Sequence, residues 1–120
     1  MTPSMHVLIV DDQPRARQSL RALLATLPFL ASIQEASDGE QALACIEKSI
    51  PDVVITDVRM PGMDGLTVTR AIKARWPNVT VIVLSLYREY SEEALTAGAN
   101  VFLCKGEPPA RLIETLSAAL

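Results

Sequence analysis

Runs of apolar residues alternate along the chain with segments in which apolar residues recur at helical spacing. Five runs have the length of a β-strand, and they lie at 7–10, 31–36, 53–56, 79–84 and 101–104. The run at 31–36 alternates with polar residues, as an edge strand does, whereas the others are nearly unbroken. Unbroken apolar runs are typical of strands that are buried on both faces of a parallel sheet.

The segments between these runs predict helices. The spacing of apolar residues indicates helices over 14–27, 65–75, 87–97 and 109–120, and a short helix that opens at Asp38-Gly39. Pro14 suits a first helical turn, and Gly98 is a natural left-handed cap. Because strands and helices alternate, the connections are crossovers and the sheet is parallel. We therefore predict one three-layer α/β domain over residues 1–120, with five strands and five helices.

Composition and charge exclude several classes of function. A net charge of -3 gives no general attraction to nucleic acid, so we expect this domain to make no direct contact with it. Residues 1–4 lack the basic region of a signal peptide, and no apolar stretch approaches the ~18 residues of a membrane span. Cys45 and Cys104 have neither CxxC spacing nor histidine partners. These features predict a cytoplasmic protein with reduced thiols and no zinc site.

The candidate chemistry lies where the strands end. The first strand ends at Asp11-Asp12, the third at Asp57, the fourth at Ser85 and the fifth at Lys105. Ligands of open parallel sheets bind beyond the carboxyl ends of the strands. We predict the strand order 2-1-3-4-5 of flavodoxin-like sheets, in which the three carboxylates meet in one crevice. A hydroxyl and an ammonium group then flank them.

Three carboxylates so close together need a counter-charge, because otherwise they would be protonated. Mg²⁺ prefers oxygen ligands and retains open positions that phosphate oxygens fill, so we expect it as the cofactor. Asp57 would then attack phosphorus as a nucleophile and form an acyl phosphate. The Lys105 ammonium and the Ser85 hydroxyl would meet the charge on the phosphoryl oxygens. The stiff loop that contains Pro61 and Gly62 would keep backbone close to this site.

Taken singly, each of these residues has a simpler role. Asp11 and Asp12 would cap the first helix, and Asp57 would be a turn residue. Ser85 would be a satisfied hydroxyl at a strand end, and Lys105 would be a solvated surface charge. The functional interpretation depends on their coincidence, since four strand ends out of five supply complementary groups.

The chain resembles the receiver domain of bacterial two-component response regulators along its whole length. Four separated motifs carry the resemblance, and they read "VLIVDDQP", "DVVITDVRMPGMDG", "VIVLS" and "ALTAGANVFLCK". The resemblance implies that a sensor histidine kinase, or a phosphotransfer protein, donates a phosphoryl group to Asp57. It implies Mg²⁺ ligands from Asp11, Asp12, Asp57 and the main-chain carbonyl of Arg59.

The resemblance also implies a switch. Ser85 and Lys105 match the family's Ser/Thr and lysine, and Phe102 matches an aromatic residue that rotates on activation. The surface of the fourth helix, fifth strand and fifth helix would then change and bind a partner differently. A homodimer formed on phosphorylation is a further expectation.

Two departures from the family pattern concern the site. Gly106 follows Lys105 where the family commonly has proline, which is similar to regulators with a C-terminal helix-turn-helix DNA-binding domain. Leu86 stands where a small residue is usual, so a larger side chain would crowd the phosphate. Arg59 and Tyr87 line the expected entrance and would govern the access of water to the acyl phosphate.

Other functions use similar residues. A haloacid-dehalogenase-type phosphatase also employs an aspartyl phosphate, but it needs a D-x-D motif after the first strand, where this chain has Asp11-Asp12-Gln13. An interaction module that is never phosphorylated remains an alternative. A flavin site would need a hydroxyl-rich loop where the two acids would repel phosphate. The sequence thus favours a signalling domain rather than an enzyme.

Overall fold

The computed structural model describes residues 4–120, in which one parallel sheet has the strand order β2-β1-β3-β4-β5. The strands are β1 (Met5–Val10), β2 (Leu30–Ala36), β3 (Val53–Thr56), β4 (Thr80–Ser85) and β5 (Val101–Cys104). The helices are α1 (Pro14–Leu24), α2 (Gly39–Lys48), α3 (Gly65–Arg75), α4 (Ser91–Thr96) and α5 (Pro109–Ala118). The predicted fold class and strand order are confirmed. The expectation about a signal peptide concerns Met1, Thr2 and Pro3, which lie outside the described residues.

The sheet separates two apolar layers, and β1 shows how its sequence serves both. Leu8 and Val10 face the layer that contains buried residues of α2, α3 and α4. Val7 and Ile9 face the opposite layer, which contains Leu24 of α1 together with Leu112 and Leu116 of α5. Successive side chains of a strand point to opposite faces, so an unbroken apolar run fills both layers. The carboxyl edge of the sheet is thereby left for polar groups.

Two predicted helices are too long. The first helix ends at Leu24 rather than at residue 27, because Pro28 disfavours helical conformation in the residue before it. The chain leaves α1 through turns in which Thr26 N donates to Leu23 O and Leu27 N donates to Leu24 O. The last helix ends at Ala118 in a similar three-residue turn. Within residues 4–120, no helix has both the length and the apolar character needed to cross a membrane.

The segment predicted as a helix over 87–97 is divided. A 3₁₀ turn at Arg88–Tyr90 precedes α4, which has only six residues. Gly98 ends it with φ of 105°, a left-handed conformation that glycine adopts at little cost. Ala99 N donates to Ala94 O and Gly98 N donates to Leu95 O, which is the paired pattern of a Schellman cap. The predicted role of Gly98 is confirmed.

Gly65 brings the start of α3 against the backbone that carries Asp57. Its N–H donates to Val58 O at 2.8 Å. A Cβ atom at this position would lie only 1.7 Å from the Asp57 carbonyl oxygen and 2.9 Å from Val58 Cα. No side chain fits in that space. The helix thus supports the turn that follows β3, and the support requires glycine.

We predict that Gly65→Ala destabilises the protein. Alanine has the better helix propensity by about 1 kcal/mol, but the clash is with backbone and forces a shift that costs about 2–4 kcal/mol. The cost of the clash therefore exceeds the gain in helix propensity. Urea unfolding would measure a lower free energy of unfolding for the variant. Gly106→Ala is the control, because a Cβ there meets nothing within 4 Å. Equal stability of the two variants would contradict this account of Gly65.

Candidate functional site

Backbone hydrogen bonds continue the sheet ladder beyond the strand ends and position three site residues. Asp11 N donates to Ala36 O at 3.1 Å, and Asp57 N donates to Val10 O at 3.0 Å. Lys105 N donates to Ser85 O at 2.8 Å. Each residue is therefore held by the end of the neighbouring strand. This is why residues distant in sequence converge at the carboxyl edge of the sheet.

Lys105 joins two of the acids. Its Nζ lies 2.8 Å from Asp11 Oδ2 and 3.0 Å from Asp57 Oδ2. The three side chains are largely buried, with exposed fractions of 20% for Lys105, 7% for Asp11 and 14% for Asp57. Burial alone would lower the pKa of Lys105, but the hydrogen bonds to Asp11 and Asp57 outweigh it and raise that pKa. The amine is therefore firmly charged at neutral pH.

The acids themselves form a compact cluster. Carboxylate oxygens of Asp11, Asp12 and Asp57 lie within 4.8 Å of one another. Three carboxylates and one ammonium carry a formal charge of about -2, which a single divalent cation would balance. The donors are all hard oxygen atoms, and such a set suits Mg²⁺. The residues present therefore fit this ion.

The second carboxylate oxygens of Asp11 and Asp57 are held by the backbone. Asp11 Oδ1 accepts from Gln13 N at 2.9 Å, and Asp57 Oδ1 accepts from Val58 N at 2.7 Å. Asp12 has only a 3.4 Å bond from the Gln13 side chain. The N-cap of α1 is Gln13, so neither acid occupies the cap position. Of the three acids, Asp12 is therefore the one that would lose the fewest hydrogen bonds on binding a cation.

Ser85 and Phe102 lie on the neighbouring strands β4 and β5. Ser85 is completely buried at the end of β4, and its Oγ accepts from Tyr87 N at 3.1 Å. Phe102 lies opposite Val83 in the β4–β5 pairing and is half-buried against the layer shared with α2, α3 and α4. The serine hydroxyl keeps its proton free to donate, and the aromatic ring is close to the surface.

Aromatic residues surround Arg59 at the expected entrance. The Arg59 guanidinium carbon lies 4.0 Å from the centroid of the Tyr87 ring, and Arg59 Nε donates to Tyr90 Oη at 3.2 Å. The two tyrosine rings meet edge to face at 6.2 Å. Leu86 is 68% exposed, so its side chain lies mainly in solvent.

Two groups at the site were missed by sequence reasoning. Tyr90 lies one turn after Tyr87, and that spacing was the available signal. Arg17 donates through Nη1 to the main-chain oxygen of Asp11 at 2.6 Å, and Glu35 accepts from Arg17 Nε at 3.0 Å. Nothing in the sequence links Arg17 with Glu35, because the partners lie on a helix and an edge strand 18 residues apart.

The comparisons with known proteins agree with this geometry. The sequence is 39% identical over 116 residues to the positive alginate biosynthesis regulatory protein of Pseudomonas aeruginosa, covering 96% of this chain and 47% of that protein. It is 33% identical to the transcriptional regulatory protein DegU of Brevibacillus brevis, covering 93% of this chain and 48% of that protein. The chain thus spans about half the length of these curated relatives.

A solved structure is similar over almost the whole fold. The response regulator protein TrrA of Thermotoga maritima, in complex with Mg²⁺-BeF, has a TM-score of 0.89 at 29% identity, covering 98% of this chain and 100% of that chain. The sequence model of the response regulator receiver domain matches residues 7–117. The chain therefore belongs to the response regulator receiver domain family.

Proposed function

We propose that residues 1–120 form a receiver domain in which Asp57 accepts a phosphoryl group from a histidine kinase. The observation that carries this proposal is the bridge from Lys105 Nζ to both Asp11 and Asp57 at the carboxyl edge of the sheet. A lysine with no role at the site would extend its ammonium into solvent rather than bury it between two carboxylates. The bridge places the Lys105 ammonium beside Asp57, where it would pair with an oxygen of a phosphoryl group attached to Asp57.

The transfer assigns a role to each residue. Asp57 Oδ2 attacks phosphorus, the new P–O bond forms, and the P–N bond to the kinase histidine breaks as the imidazole leaves. Asp11, Asp12, Asp57 and the Arg59 carbonyl would hold Mg²⁺, which when bound supplies positive charge to the acids and phosphoryl oxygens. The Lys105 ammonium would pair with a phosphoryl oxygen, and the Ser85 hydroxyl would donate to another.

Phosphorylation would then change a distant surface. A new dianion on Asp57 draws Ser85 and Lys105 inward and leaves space that the Phe102 ring enters. The surface of α4, β5 and α5 changes with it. Arg59, Leu86 and Tyr87 would border the path of water to the acyl phosphate, and the stacking of Arg59 on Tyr87 keeps that border ordered.

The relatives suggest how the domain is used. Similar proteins are named as transcriptional regulators, and one solved neighbour is a DNA-binding response regulator of the LuxR family from Staphylococcus aureus. We infer that the full-length protein carries a C-terminal helix-turn-helix domain and that phosphorylation favours a homodimer. The first inference rests on relatives that are about twice as long as this chain.

The decisive test replaces Asp57 with asparagine, which has the same shape but lacks the nucleophilic charge. We expect the wild type to gain one phosphoryl group from acetyl phosphate with Mg²⁺, and Asp57→Asn to gain none, by intact mass. Asp64→Asn is the control, because asparagine retains the N-cap of α3. No gain in the wild type would favour a module that is never phosphorylated, and turnover of a phosphate ester would favour the phosphatase.

A second prediction concerns Lys105→Met without Mg²⁺. No other side-chain ion pair compensates Asp11 and Asp57 within residues 4–120, so we expect the free energy of unfolding to fall by about 1–3 kcal/mol. Millimolar Mg²⁺ should restore most of that loss, because it replaces the missing positive charge. Lys73→Met is the control, because Lys73 donates to oxygen atoms of Pro77, Val79 and Asn100 and not to the acids. Mg²⁺ should not restore any stability that this variant loses. A loss that Mg²⁺ does not repair would disprove this role of Lys105.

A third prediction separates phosphorylation from the switch. We expect Ser85→Ala to accept a phosphoryl group but to lose at least about half of the phosphorylation-induced amide shift changes over 87–104, measured by NMR. Ser85→Thr should retain them, because it retains the hydroxyl. If the alanine variant showed the full wild-type changes, Ser85 would have no part in transmitting the signal.

A further inference from the structure

Arg17 joins the turn that carries two acids to the edge strand of the sheet. Its Nη1 donates to the Asp11 main-chain oxygen at 2.6 Å, and its Nε donates to Glu35 Oε1 at 3.0 Å. The Arg17 side chain is mostly buried, with 18% exposed. Glu35 uses its other oxygen to accept from Arg21 Nε at 2.6 Å. One carboxylate therefore fixes two arginines of α1.

The bonded oxygen lies at a sensitive place. It belongs to the peptide unit that links Asp11 to Asp12, and both carboxylates belong to the acid cluster. A hydrogen bond to a carbonyl fixes the plane of its peptide. The rotation of this plane directs where Asp11 and Asp12 project. Holding the carbonyl therefore holds the relative position of two of the three acids.

Glu35 makes this hold rigid. The hydrogen bond from Arg21 lowers the pKa of Glu35, burial opposes that effect, and the bond from Arg17 adds to it. The Glu35 carboxylate is thus ionised at neutral pH and forms an ion pair with the Arg17 guanidinium. Glu35 is paired with Ile9 in the β1–β2 ladder, and Ile9, on β1, lies two residues before Asp11. The anchor and the turn consequently belong to the same pair of strands.

We propose that Arg17, oriented by Glu35, is a positioning residue that holds the Asp11–Asp12 turn in the geometry needed to bind a divalent cation. This rests on the proposed function in that the cation serves phosphorylation of Asp57. Arg17 bonds to Asp11 through the main-chain oxygen rather than through the carboxylate. It acts through the main chain, as groups outside the ligand shell do when they orient ligands.

Charge and positioning predict opposite changes in Mg²⁺ affinity when Arg17 is removed, so an experiment distinguishes them. Arg17 is a positive charge beside a cation site, so its removal should tighten Mg²⁺ binding if charge were its only contribution. Loss of the hold on the carbonyl should weaken binding. The sign of the change in affinity therefore separates positioning from charge.

The experiment compares Arg17→Met with Arg21→Met. Both arginines lie on α1 and pair with Glu35, but only Arg17 reaches the Asp11 carbonyl, since Arg21 Nη2 donates to Ile33 O. We expect Arg17→Met to raise the Kd for Mg²⁺ by about 5–20-fold and Arg21→Met by less than about twofold, by NMR titration. Thermal unfolding would show whether the two variants lose similar stability.

A spectroscopic readout is independent of the ion. The amide of Asp12 shares its peptide unit with the Asp11 carbonyl, so its nitrogen shift without Mg²⁺ should change in Arg17→Met and not in Arg21→Met. Glu35→Gln, which keeps the Asp11 carbonyl bond but weakens its anchor, should raise the Kd by about 2–5-fold. This variant keeps the test decisive if Arg17→Met does not fold.

The outcomes distinguish this proposal from the proposed function. Tighter Mg²⁺ binding in Arg17→Met, or equal Kd values in the two arginine variants, would overturn the role of Arg17 even if Asp57 is phosphorylated. Weaker binding confined to Arg17→Met and Glu35→Gln would support it even if acetyl phosphate failed to modify Asp57.

Discussion

The structure depends on keeping three carboxylates together at one edge of the sheet. Two like charges no more than 4.8 Å apart repel by at least about 3–4 kcal/mol at an effective dielectric constant near 20. A domain of this size has a net stability of about 5–15 kcal/mol, so an uncompensated cluster would consume much of it. Lys105 supplies the compensation by contacting Asp11 and Asp57 at once. The uncompensated negative charge that remains favours the binding of a cation at this edge of the sheet.

The surrounding fold restricts how the acids move apart. The N–H groups of Asp11 and Asp57 donate to Ala36 O and Val10 O on the neighbouring strands. Gly65 packs α3 directly against the Asp57 carbonyl. Rigid close-packed backbone therefore absorbs a repulsion that flexible side chains would relieve by moving apart. Arg17 adds a second hydrogen bond to the turn at Asp11, through the main-chain oxygen of that residue. Packing and hydrogen bonding thus maintain a charge arrangement that electrostatics disfavours.

The convergence of the acids and Lys105 could be predicted from the sequence, whereas several supporting contacts could not. Apolar runs locate strand ends, and parallel topology brings those ends together, so Asp57 and Lys105 were expected to be close. The pairing of Arg17 with Glu35 depends on the distance between a helix and an edge strand, which no local pattern encodes. The end of α1 was placed too late because apolar spacing continues to Leu27, although Pro28 prevents helical conformation there.

The hydrogen bond between Ser85 and Tyr87 explains how a change at the acids would reach the surface. Ser85 Oγ accepts from Tyr87 N, so the hydroxyl can donate its own proton to a phosphoryl oxygen without losing that bond. Movement of Ser85 toward Asp57 would therefore pull on Tyr87, which precedes the 3₁₀ turn leading into α4. Tyr87 also stacks with Arg59, on the loop that follows Asp57. The same displacement consequently acts on both sides of the site, and the short helix α4 has few internal bonds with which to resist it.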